Sequence, residues 1–286
     1  MSSDAKIKKS ASMTSRRVIA YIVLVLISIL CLFWFYVLFV NATRTHSAIQ
    51  TGFSAIPGKN LVNNFNHLMD SIIPVFRGML NSVIVAGSSA LLSTYFSTMT
   101  AFAIHAYDFK GKKVIFTFIL MIMMVPTQVT TLGFVQLVQS MGLMDNYIPL
   151  IVPSIAAPIT FFYMKQYMES ALPLSLIEAA RIDGSGEFRT FNTIVLPLMK
   201  PAIAVQAIFT FVSSWNNYFV PVQILQKRSM KTLPILIAEL RSADWLKFDM
   251  GQVYMMIAIS IFPVIIVYLI LSKHIVGGVS LGAVKG

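Results

Sequence analysis

The chain has 286 residues, of which 57% are hydrophobic and 12% are charged, and its mean hydropathy is +0.76. A soluble domain usually carries about 25% charged residues, so this composition predicts an all-α protein that crosses a membrane several times. The net charge of +11 does not indicate nucleic-acid binding, because the basic residues lie in short segments beside apolar runs. The single cysteine, Cys31, lies inside an apolar run and can form neither a disulfide framework nor a metal site by itself.

Six apolar runs are long enough to predict membrane-spanning helices. They cover residues 18–40, 79–104, 114–136, 147–164, 201–225 and 251–271. The first run resembles a signal peptide, but its 23 uncharged residues exceed a cleavable core of roughly 7–15 residues, so we expect a retained helix. Prolines interrupt the third, fourth and sixth runs. Such breaks indicate helices packed inside a bundle, where neighbouring groups satisfy the freed backbone.

Lysine and arginine residues between the runs predict which side each segment faces, since cytoplasmic loops are enriched in them. With the N-terminal tail, residues 1–17, on the inside, the inside segments hold fourteen of these residues and the outside segments eight. The C-terminal tail, 273–286, is then inside and the polar segment 41–77 is outside. The loop 226–250 opposes this assignment, because it falls outside and carries five basic residues.

Small side chains recur at helical spacing along the second run. They are Ala86, Ala90, Ser93, Ser97 and Ala101. A stripe of small residues lets the backbone of another helix approach closely. We therefore expect this face of the second helix to form an interface between helices rather than a substrate site.

No set of residues in the sequence predicts catalysis or metal binding. The four histidines, His46, His67, His105 and His274, are scattered without the spacing of metal ligands. The sequence has no phosphate-binding loop of the form G-x-x-x-x-G-K-[ST], and no convergent nucleophile, so an enzyme is disfavoured. Ionisable residues are nearly absent from the apolar runs. Secondary carriers usually keep such residues inside the membrane, so a secondary carrier or channel subunit is kept only as the alternative function.

The apolar runs do contain neutral amides and aromatic side chains. Such groups suit a neutral, polyhydroxylated solute, because they hydrogen-bond and stack without requiring a counter-charge. Hydrogen bonding between helices accounts for them equally well. The candidate substrate-pathway residues are Gln128, Gln206, Trp215, Asn216, Asn217 and Tyr218, and Asn81 and Gln136 are further neutral amides of the same kind.

A polar segment, residues 173–200, interrupts the apolar pattern between the fourth and fifth runs. Pro173 is expected to end the preceding helix. Ser175 and Glu178 fit a capping box at the start of a new helix, with Ser175 as the N-cap. Gly184 can adopt the left-handed conformation that closes a short helix.

A second short helix is predicted to follow, with Ser185 as its N-cap. Phe188, Phe191 and Val195 fall at spacings that place them on one face of this helix. Pro197 is expected to end it. The segment thus predicts a helix–turn–helix on the cytoplasmic surface, and an amphipathic helix lying on lipid is the alternative that the residues alone leave open.

The same segment resembles the cytoplasmic signature of permease subunits of binding-protein-dependent ABC importers, E-A-A-x-x-x-G-x(9)-I-x-L-P. The matching residues are Glu178, Ala179, Ala180, Gly184, Ile194, Leu196 and Pro197. Further similarities are to the carbohydrate branch and its MalG-type subunits. They lie at Asp183, Phe191, Pro126 to Thr130, Gly142 to Tyr147, Trp215–Asn216, Leu233–Pro234 and Gly282 to Gly286. The resemblance covers most of residues 75–286.

The resemblance implies a type I importer permease fold, also called MetI-like, over residues 78–272. It implies pairing with a second homologous permease above two ATPase subunits, in a bacterial plasma membrane with both termini cytoplasmic. An extracellular solute-binding protein would deliver a sugar, in this branch an oligosaccharide. This chain would bind no cofactor, because ATP and Mg²⁺ would lie on the partner ATPase.

The resemblance also assigns roles to residues of this chain. The segment 173–200 would be the coupling segment that docks in a cleft of the ATPase. Its contact residues would be Glu178, Ala179, Ala180, Asp183, Gly184, Phe188, Phe191 and Pro197. The tail residues Val284, Lys285 and Gly286 would reach toward the ATPase pair. Asn217 stands where many members carry an acidic residue, so a charge-based role at that position is not implied.

Overall fold

The structure, a computed structural model, describes residues 2–241 and 248–282, and every regular element within those ranges is a helix. In chain order the α-helices are α1 (Ser2–Ala42), α2 (His46–Gln50), α3 (Leu61–Asp70), α4 (Val75–Ala106), α5 (Lys112–Ile122), α6 (Thr127–Ser140), α7 (Ile148–Ile151), α8 (Pro158–Ala171), α9 (Leu174–Ile182), α10 (Glu187–Thr190), α11 (Leu196–Leu198), α12 (Lys200–Trp215), α13 (Phe219–Ile224), α14 (Leu233–Arg241) and α15 (Met250–Gly282). The remaining helical elements are 3₁₀ turns at Val152–Ile155 and Arg228–Met230 and a π turn at Phe191–Val195. The prediction of an all-α chain is confirmed.

The described residues fall into two compact units, one within Met1–Ile72 and Arg241–Ile259, the other within Ile73–Leu240 and Ser260–Gly286. In the first unit, the buried Arg44 holds the turn that follows α1. Its guanidinium donates hydrogen bonds to Asn41 Oδ1 at 3.1 Å and to the Gly52 carbonyl at 3.0 Å. The buried amide of Asn64 donates to the carbonyls of Ala42 and Arg44, both at 2.9 Å. These bonds satisfy backbone groups that the end of α1 leaves free.

Several helices are long and apolar enough to cross a membrane. Among the described residues there are four, at Ser15–Ala42, Val75–Ala106, Ile148–Ala171 and Met250–Ile275. A fifth span results if Glu187–Leu198 and Lys200–Trp215, which meet at a bend of 80°, count as one. The protein is therefore a multi-pass membrane protein, and these four candidate spans match the first, second, fourth and sixth predicted runs.

Three predicted spans are not single helices. The run 147–164 contains α7, the 3₁₀ turn Val152–Ile155 and the start of α8. The run 114–136 divides into α5 and α6, because Pro126 stands at the N-cap of α6 in an extended conformation and cannot continue α5. The run 201–225 divides after Trp215, and α13 begins only at Phe219. Pro221 lacks the N–H that would bond across this break. The prolines of the third and fourth runs thus interrupt the spans as the sequence predicts, and the number of membrane crossings stays a prediction.

Helix α4 is the centre of the second unit and packs against α8 and α12. The predicted stripe of small side chains along α4 is buried, at most 7% exposed at any of its five positions. Ser93 donates a hydrogen bond to Thr160 Oγ1 at 3.2 Å, and Ser97 donates to the Ala157 carbonyl at 3.4 Å. The prediction of a helix interface on this face is confirmed.

A second group of contacts joins the turn before α7 to the stretch after α13. Asp145 adopts the left-handed conformation, with φ of 55°, which aspartate tolerates better than most residues. Its Oδ1 atom accepts the backbone N–H groups of Gln226 and Lys227, both at 2.7 Å. These bonds, the one from Lys227 first, lower the pKa of the Asp145 carboxyl. Tyr147 donates from its hydroxyl to the Met230 carbonyl at 3.1 Å, which fixes the same pair of loops.

Candidate functional site

The first helix of the coupling segment, α9, begins directly after Pro173. Pro173 is the N-cap, and its carbonyl accepts the N–H of Leu176 at 3.1 Å. No side chain within the described ranges caps this helix, so the predicted capping box of Ser175 and Glu178 is wrong. The reason is that the proline takes the cap position itself, which moves Ser175 into the first turn. The predicted end of the preceding helix is confirmed, since α8 stops at Ala171.

The end of α9 is a tight turn at Gly184, as the sequence predicts. Gly184 has φ of +76°, a conformation that a Cβ atom disfavours. The N–H of Ser185 bonds to the Ala180 carbonyl at 2.9 Å, and the N–H of Gly184 bonds to the Arg181 carbonyl at 3.0 Å. This pair of bonds is the Schellman motif, which satisfies the last free carbonyls of the helix.

An ion pair links the two helices across this turn. Arg181 donates from Nε to Glu187 Oε1 at 2.6 Å and from Nη2 to Oε2 at 3.3 Å. The Arg181 guanidinium also lies over the ring of Tyr107, with its carbon 5.2 Å from the ring centroid. The bond from Arg181 lowers the pKa of Glu187, while burial, followed by the contact with Glu187, raises the pKa of Tyr107. The coupling segment is thereby tied to the end of α4.

The second helix of the segment, α10, begins at Gly186, so the predicted N-cap Ser185 is wrong. Gly186 has the extended conformation of an N-cap, and its carbonyl accepts the N–H of Thr190 at 2.9 Å. The Ser185 hydroxyl instead accepts a hydrogen bond from Thr190 Oγ1 at 2.9 Å. The π turn that follows widens the helix just before Pro197, whose missing N–H interrupts the normal bonding pattern.

The two predicted contact phenylalanines have different surroundings. Phe188 is 70% exposed, but Phe191 is 2% exposed and packs against Tyr95 and Phe102 of α4, at centroid distances of 5.5 and 5.8 Å. The prediction that Phe188 shares one face with Phe191 and Val195 is therefore wrong. Phe191 and Val195 belong to the core between α4, α8 and α9, and the structure leaves only Phe188 available to a partner.

The other predicted contact residues separate in the same way. Ala180 is buried in this chain, which corrects its predicted role in a contact with another subunit. Five predicted residues lie on the surface of the segment, namely Glu178, Ala179, Asp183, Gly184 and Pro197. Ile182, which the sequence analysis did not select, is 86% exposed beside them. A β-branched apolar residue in the last turn before a helix-ending glycine is the pattern that could have identified it.

Of the candidate pathway residues, the structure places one in a cavity. Gln206 is buried on α12 and lines a cavity of about 600 Å³ between α4, α8 and α12. Trp215 is buried and stacks on Phe211 at 5.7 Å, so it contributes to packing. The remaining candidates, Gln128, Asn216, Asn217 and Tyr218, lie exposed outside this cavity.

Two further predictions concern amides and the C-terminus. Asn81 donates hydrogen bonds to the carbonyls of Ser229 and Lys231, both at 2.9 Å, so this amide joins α4 to a loop.

The predicted tail contacts Val284, Lys285 and Gly286 lie outside the described residues. Within the described ranges, no group of three or more His, Cys, Asp or Glu side chains is placed to hold a metal ion.

The family of the chain follows from comparison with known proteins. Residues 93–280 match the model of the family described as binding-protein-dependent transport system inner membrane component. The match includes the coupling segment, the residues that line the cavity and the C-terminal part of α4. The chain belongs to this family. Permeases of ABC importers make up the family, so the chain is a transport subunit of the membrane.

Relatives in the family support this assignment. The chain is 36% identical over 227 residues to the arabinooligosaccharides transport system permease of Bacillus subtilis, covering 78% of this chain and 79% of the relative. It is 30% identical over 267 residues to the sn-glycerol-3-phosphate transport system permease of Yersinia pestis, covering 91% and 95%. The melibiose/raffinose/stachyose import permease of Bacillus subtilis is 31% identical over 212 residues, covering 73% and 76%.

A solved structure matches the fold. It is a bacterial ABC transporter involved in the import of the acidic polysaccharide alginate, and it aligns with a TM-score of 0.76 at 21% identity. The alignment covers 90% of this chain and 95% of that chain. The type I importer permease fold expected from the sequence is thereby confirmed.

Proposed function

We propose that this chain is a permease subunit of an ATP-driven importer that carries a neutral sugar, an oligosaccharide, across the bacterial cell membrane. The observation that carries the proposal is the family-matched segment 173–200, which turns sharply at Gly184 and exposes Ile182 and Phe188. A contiguous exposed apolar patch bordered by polar residues is typical of a protein docking surface. Glu178 and Asp183 would supply polar contacts beside them.

The coupling segment has the contacts that a transmitting element requires. The Arg181–Glu187 ion pair holds α9 and α10 together across the turn, and Phe191 packs the segment onto α4. A displacement of the segment by an ATPase would therefore move α4 and the helices packed against it. Nucleotide binding shifts the transport cycle only if the ATPase contacts this segment differently in the two states.

The partners follow from this role. ATP and Mg²⁺ bind to a pair of ATPase subunits, and a second homologous permease completes the pathway through the membrane. An extracellular solute-binding protein delivers the sugar. The excess of basic residues in the predicted inside segments supports cytoplasmic termini and a cytoplasmic coupling segment.

The proposal of an oligosaccharide rests on two of the relatives and on the cavity. Relatives with 36% and 31% identity are named for arabinooligosaccharides and for melibiose, raffinose and stachyose. The cavity beside Gln206 offers an amide, hydroxyl groups and aromatic rings. These groups suit a neutral, hydroxyl-bearing ligand.

The test is uptake by the complete importer in vesicles loaded with ATP. We expect uptake to require ATP and the binding protein, and to be abolished in the double variant Glu178→Ala with Gly184→Val, although that variant still inserts into the membrane. Normal uptake by the double variant would contradict the coupling role. Uptake by this chain alone, indifferent to ATP and collapsed by dissipating ion gradients, would instead identify a secondary carrier.

A further inference from the structure

The cavity beside Gln206 is part of a continuous groove along one face of α12. Its volume, about 600 Å³, falls in the range of roughly 300–1,000 Å³ found for small-molecule sites. A second cavity of about 270 Å³ shares Tyr163, Val205 and Gln206 with it and extends to Pro201 at the start of α12. Gln206 therefore lies where the two cavities adjoin.

The side chain of Gln206 has hydrogen-bonding groups but no partner. The residue is 6% exposed, lines both cavities and makes no side-chain hydrogen bond with any residue that the structure describes. Among the described residues, the only fully buried side-chain oxygen or nitrogen without a partner is Thr232 Oγ1, so the amide atoms of Gln206 are open to the cavities. The amide of Gln206 is thus available to a molecule in the groove.

Further polar groups follow Gln206 along the same face of the helix. Thr210 and Ser213 stand four and seven residues after it, the spacing of one helical face, and both line the larger cavity. Two aromatic side chains, Tyr163 and Phe209, lie at the cavity with more than half of their surfaces exposed. The face combines hydrogen-bonding groups with flat apolar rings.

The opposite wall of the larger cavity contains irregular backbone. The span Ile148–Ala171 is broken by the 3₁₀ turn Val152–Ile155, and α8 begins only at Pro158. Non-helical backbone at membrane depth is tolerated only where protein or a polar cavity covers it. Ser97 of α4 satisfies one carbonyl of this break, that of Ala157, and Ser154 and Ala157 of the break line the cavity.

The lack of charged side chains in the groove restricts the kind of ligand that it can bind. None of the described residues that line the two cavities is charged. A phosphate or carboxylate group would lose its water there without gaining a counter-charge. A sugar ring has hydroxyl groups for the amide and hydroxyl side chains, and C–H faces for the aromatic rings.

We propose that Gln206, Thr210 and Ser213, together with the ring of Tyr163, form a contact site on this subunit for a neutral sugar ring in transit. The proposal rests on the proposed function and deepens it. This subunit then binds the solute directly, and selects against anionic solutes, rather than only completing a pathway whose contacts lie on the partner permease.

The first test is the uptake of defined compounds by the complete importer in vesicles. The compounds are the neutral sugars arabinotriose and raffinose, and the anion glycerol 3-phosphate. We expect uptake of a neutral sugar, and we expect Gln206→Leu to lower its rate roughly tenfold, the effect of losing one buried hydrogen-bonding group. The matched control is Gln139→Leu, because Gln139 is an exposed amide on α6, and both variants are compared at equal amounts of assembled complex.

The second test measures access to the groove without relying on the transport rate. Ser213→Cys is placed in a Cys31→Ser chain, which removes the only native cysteine, and the complex is treated with a small water-soluble maleimide. We expect labelling that the transported sugar slows several-fold and glycerol 3-phosphate does not.

Three results would overturn the contact site. They are labelling unaffected by the transported sugar, normal uptake by Gln206→Leu, and uptake of glycerol 3-phosphate but of neither sugar. Complete resistance of the Ser213→Cys variant to labelling in the assembled complex would also overturn it, because the partner permease would then fill the groove. Failure of the unmodified importer to take up any compound with ATP would count against the proposed function itself.

Discussion

Arg181 and Glu187 face each other across the turn at Gly184 and form two hydrogen bonds, from Nε at 2.6 Å and from Nη2 at 3.3 Å. The pair joins the last turn of α9 to the first turn of α10. It links the two helices across the turn, as the proposed coupling role requires.

Removing this pair should weaken coupling more than stability. We expect Glu187→Gln to lower the uptake rate severalfold, because the turn becomes more flexible, while the amount of inserted chain is unchanged. The matched control is Glu169→Gln, which removes the half-exposed carboxylate of the pair Lys165–Glu169 on α8 and should have little effect. The charge-swapped double variant Arg181→Glu with Glu187→Arg should recover part of the activity. Uptake by Glu187→Gln at the rate of the unmodified chain would contradict this role.

The pair should also resist mild acid. Because Arg181 holds the pKa of Glu187 below its ordinary value of about 4.3, the pair is intact above that value. Its contribution is lost only as the pH falls through the lowered pKa in the folded protein. Hydrogen exchange at the amides of Gly184 and Ser185, which are bonded to carbonyls of α9, should therefore be equally slow at pH 7 and pH 5 in detergent, after correction for intrinsic rates. A steep loss of protection between these values would show that the pair does not hold the turn.

The turn itself provides a pair of glycines for comparison. Gly184 has φ of +76°, whereas Gly186, two residues later, has φ of −68°, and a Cβ atom would meet no neighbour at either position. Gly184→Ala should therefore cost about 1 kcal/mol through backbone strain, and Gly186→Ala should cost less, because it only replaces glycine by the weaker N-cap alanine. Thermal unfolding of the purified complex, together with ATP-dependent uptake, measures both effects. Equal behaviour of the two variants would mean that the left-handed turn is not formed.

The two phenylalanines of the segment should have separable roles. Phe191→Ala removes a ring that is packed in the core and should destabilise the chain by about 3–5 kcal/mol, seen as a lower yield of folded protein. Phe188→Ala removes an exposed ring and should leave the yield unchanged while it lowers the amount of ATPase that co-purifies. If Phe188→Ala reduces folding and not co-purification, Phe188 is a packing residue and the proposed docking surface is wrong.

Asp145 predicts an acid dependence of stability. Its pKa is lowered by the backbone N–H of Lys227 and then that of Gln226, so its carboxylate stabilises the fold at pH above the unfolded value of about 3.9. This contribution is lost as the pH falls through the lower pKa in the folded protein. Asp145→Asn keeps the left-handed conformation and one acceptor oxygen but carries no charge.

The measurement for Asp145 is thermal unfolding in detergent as a function of pH. At pH 7, Asp145→Asn should unfold at a lower temperature than the unmodified chain, and the difference should vanish as the pH falls toward 3. Asp108→Asn, at an exposed aspartate, serves as the control. A difference that is independent of pH would show that the carboxylate charge is not what holds the two loops together.

The sequence predicted those features that depend on residues close together in the chain. The left-handed Gly184, the helix end before Pro173 and the small-residue face of α4 all follow from local conformational preferences or from helical spacing. The predicted capping box is wrong although it too depends on neighbouring residues. The preference of serine for the N-cap competed with that of proline, and Pro173 occupies the position that Ser175 was expected to take.

Features that depend on tertiary packing could not be predicted in this way. Phe188 and Phe191 are the same residue type three positions apart, and only the distant rings of Tyr95 and Phe102 decide which of them is buried. Gln128 and Gln206 are likewise equivalent in the sequence. The cavity that distinguishes Gln206 is formed by the break before α8, whose position relative to α12 no local pattern specifies.

Cross-linking from Ile182 tests the central claim most directly. The variant Ile182→Cys, in a Cys31→Ser chain, is modified with a photoreactive benzophenone maleimide in membranes that contain the assembled importer. The control is Ile72→Cys, because Ile72 is similarly exposed and lies in the segment predicted to be extracytoplasmic. We predict an adduct with the ATPase subunit from position 182 and none from position 72. An adduct with lipid alone from position 182, or with the ATPase equally from both positions, would contradict the account.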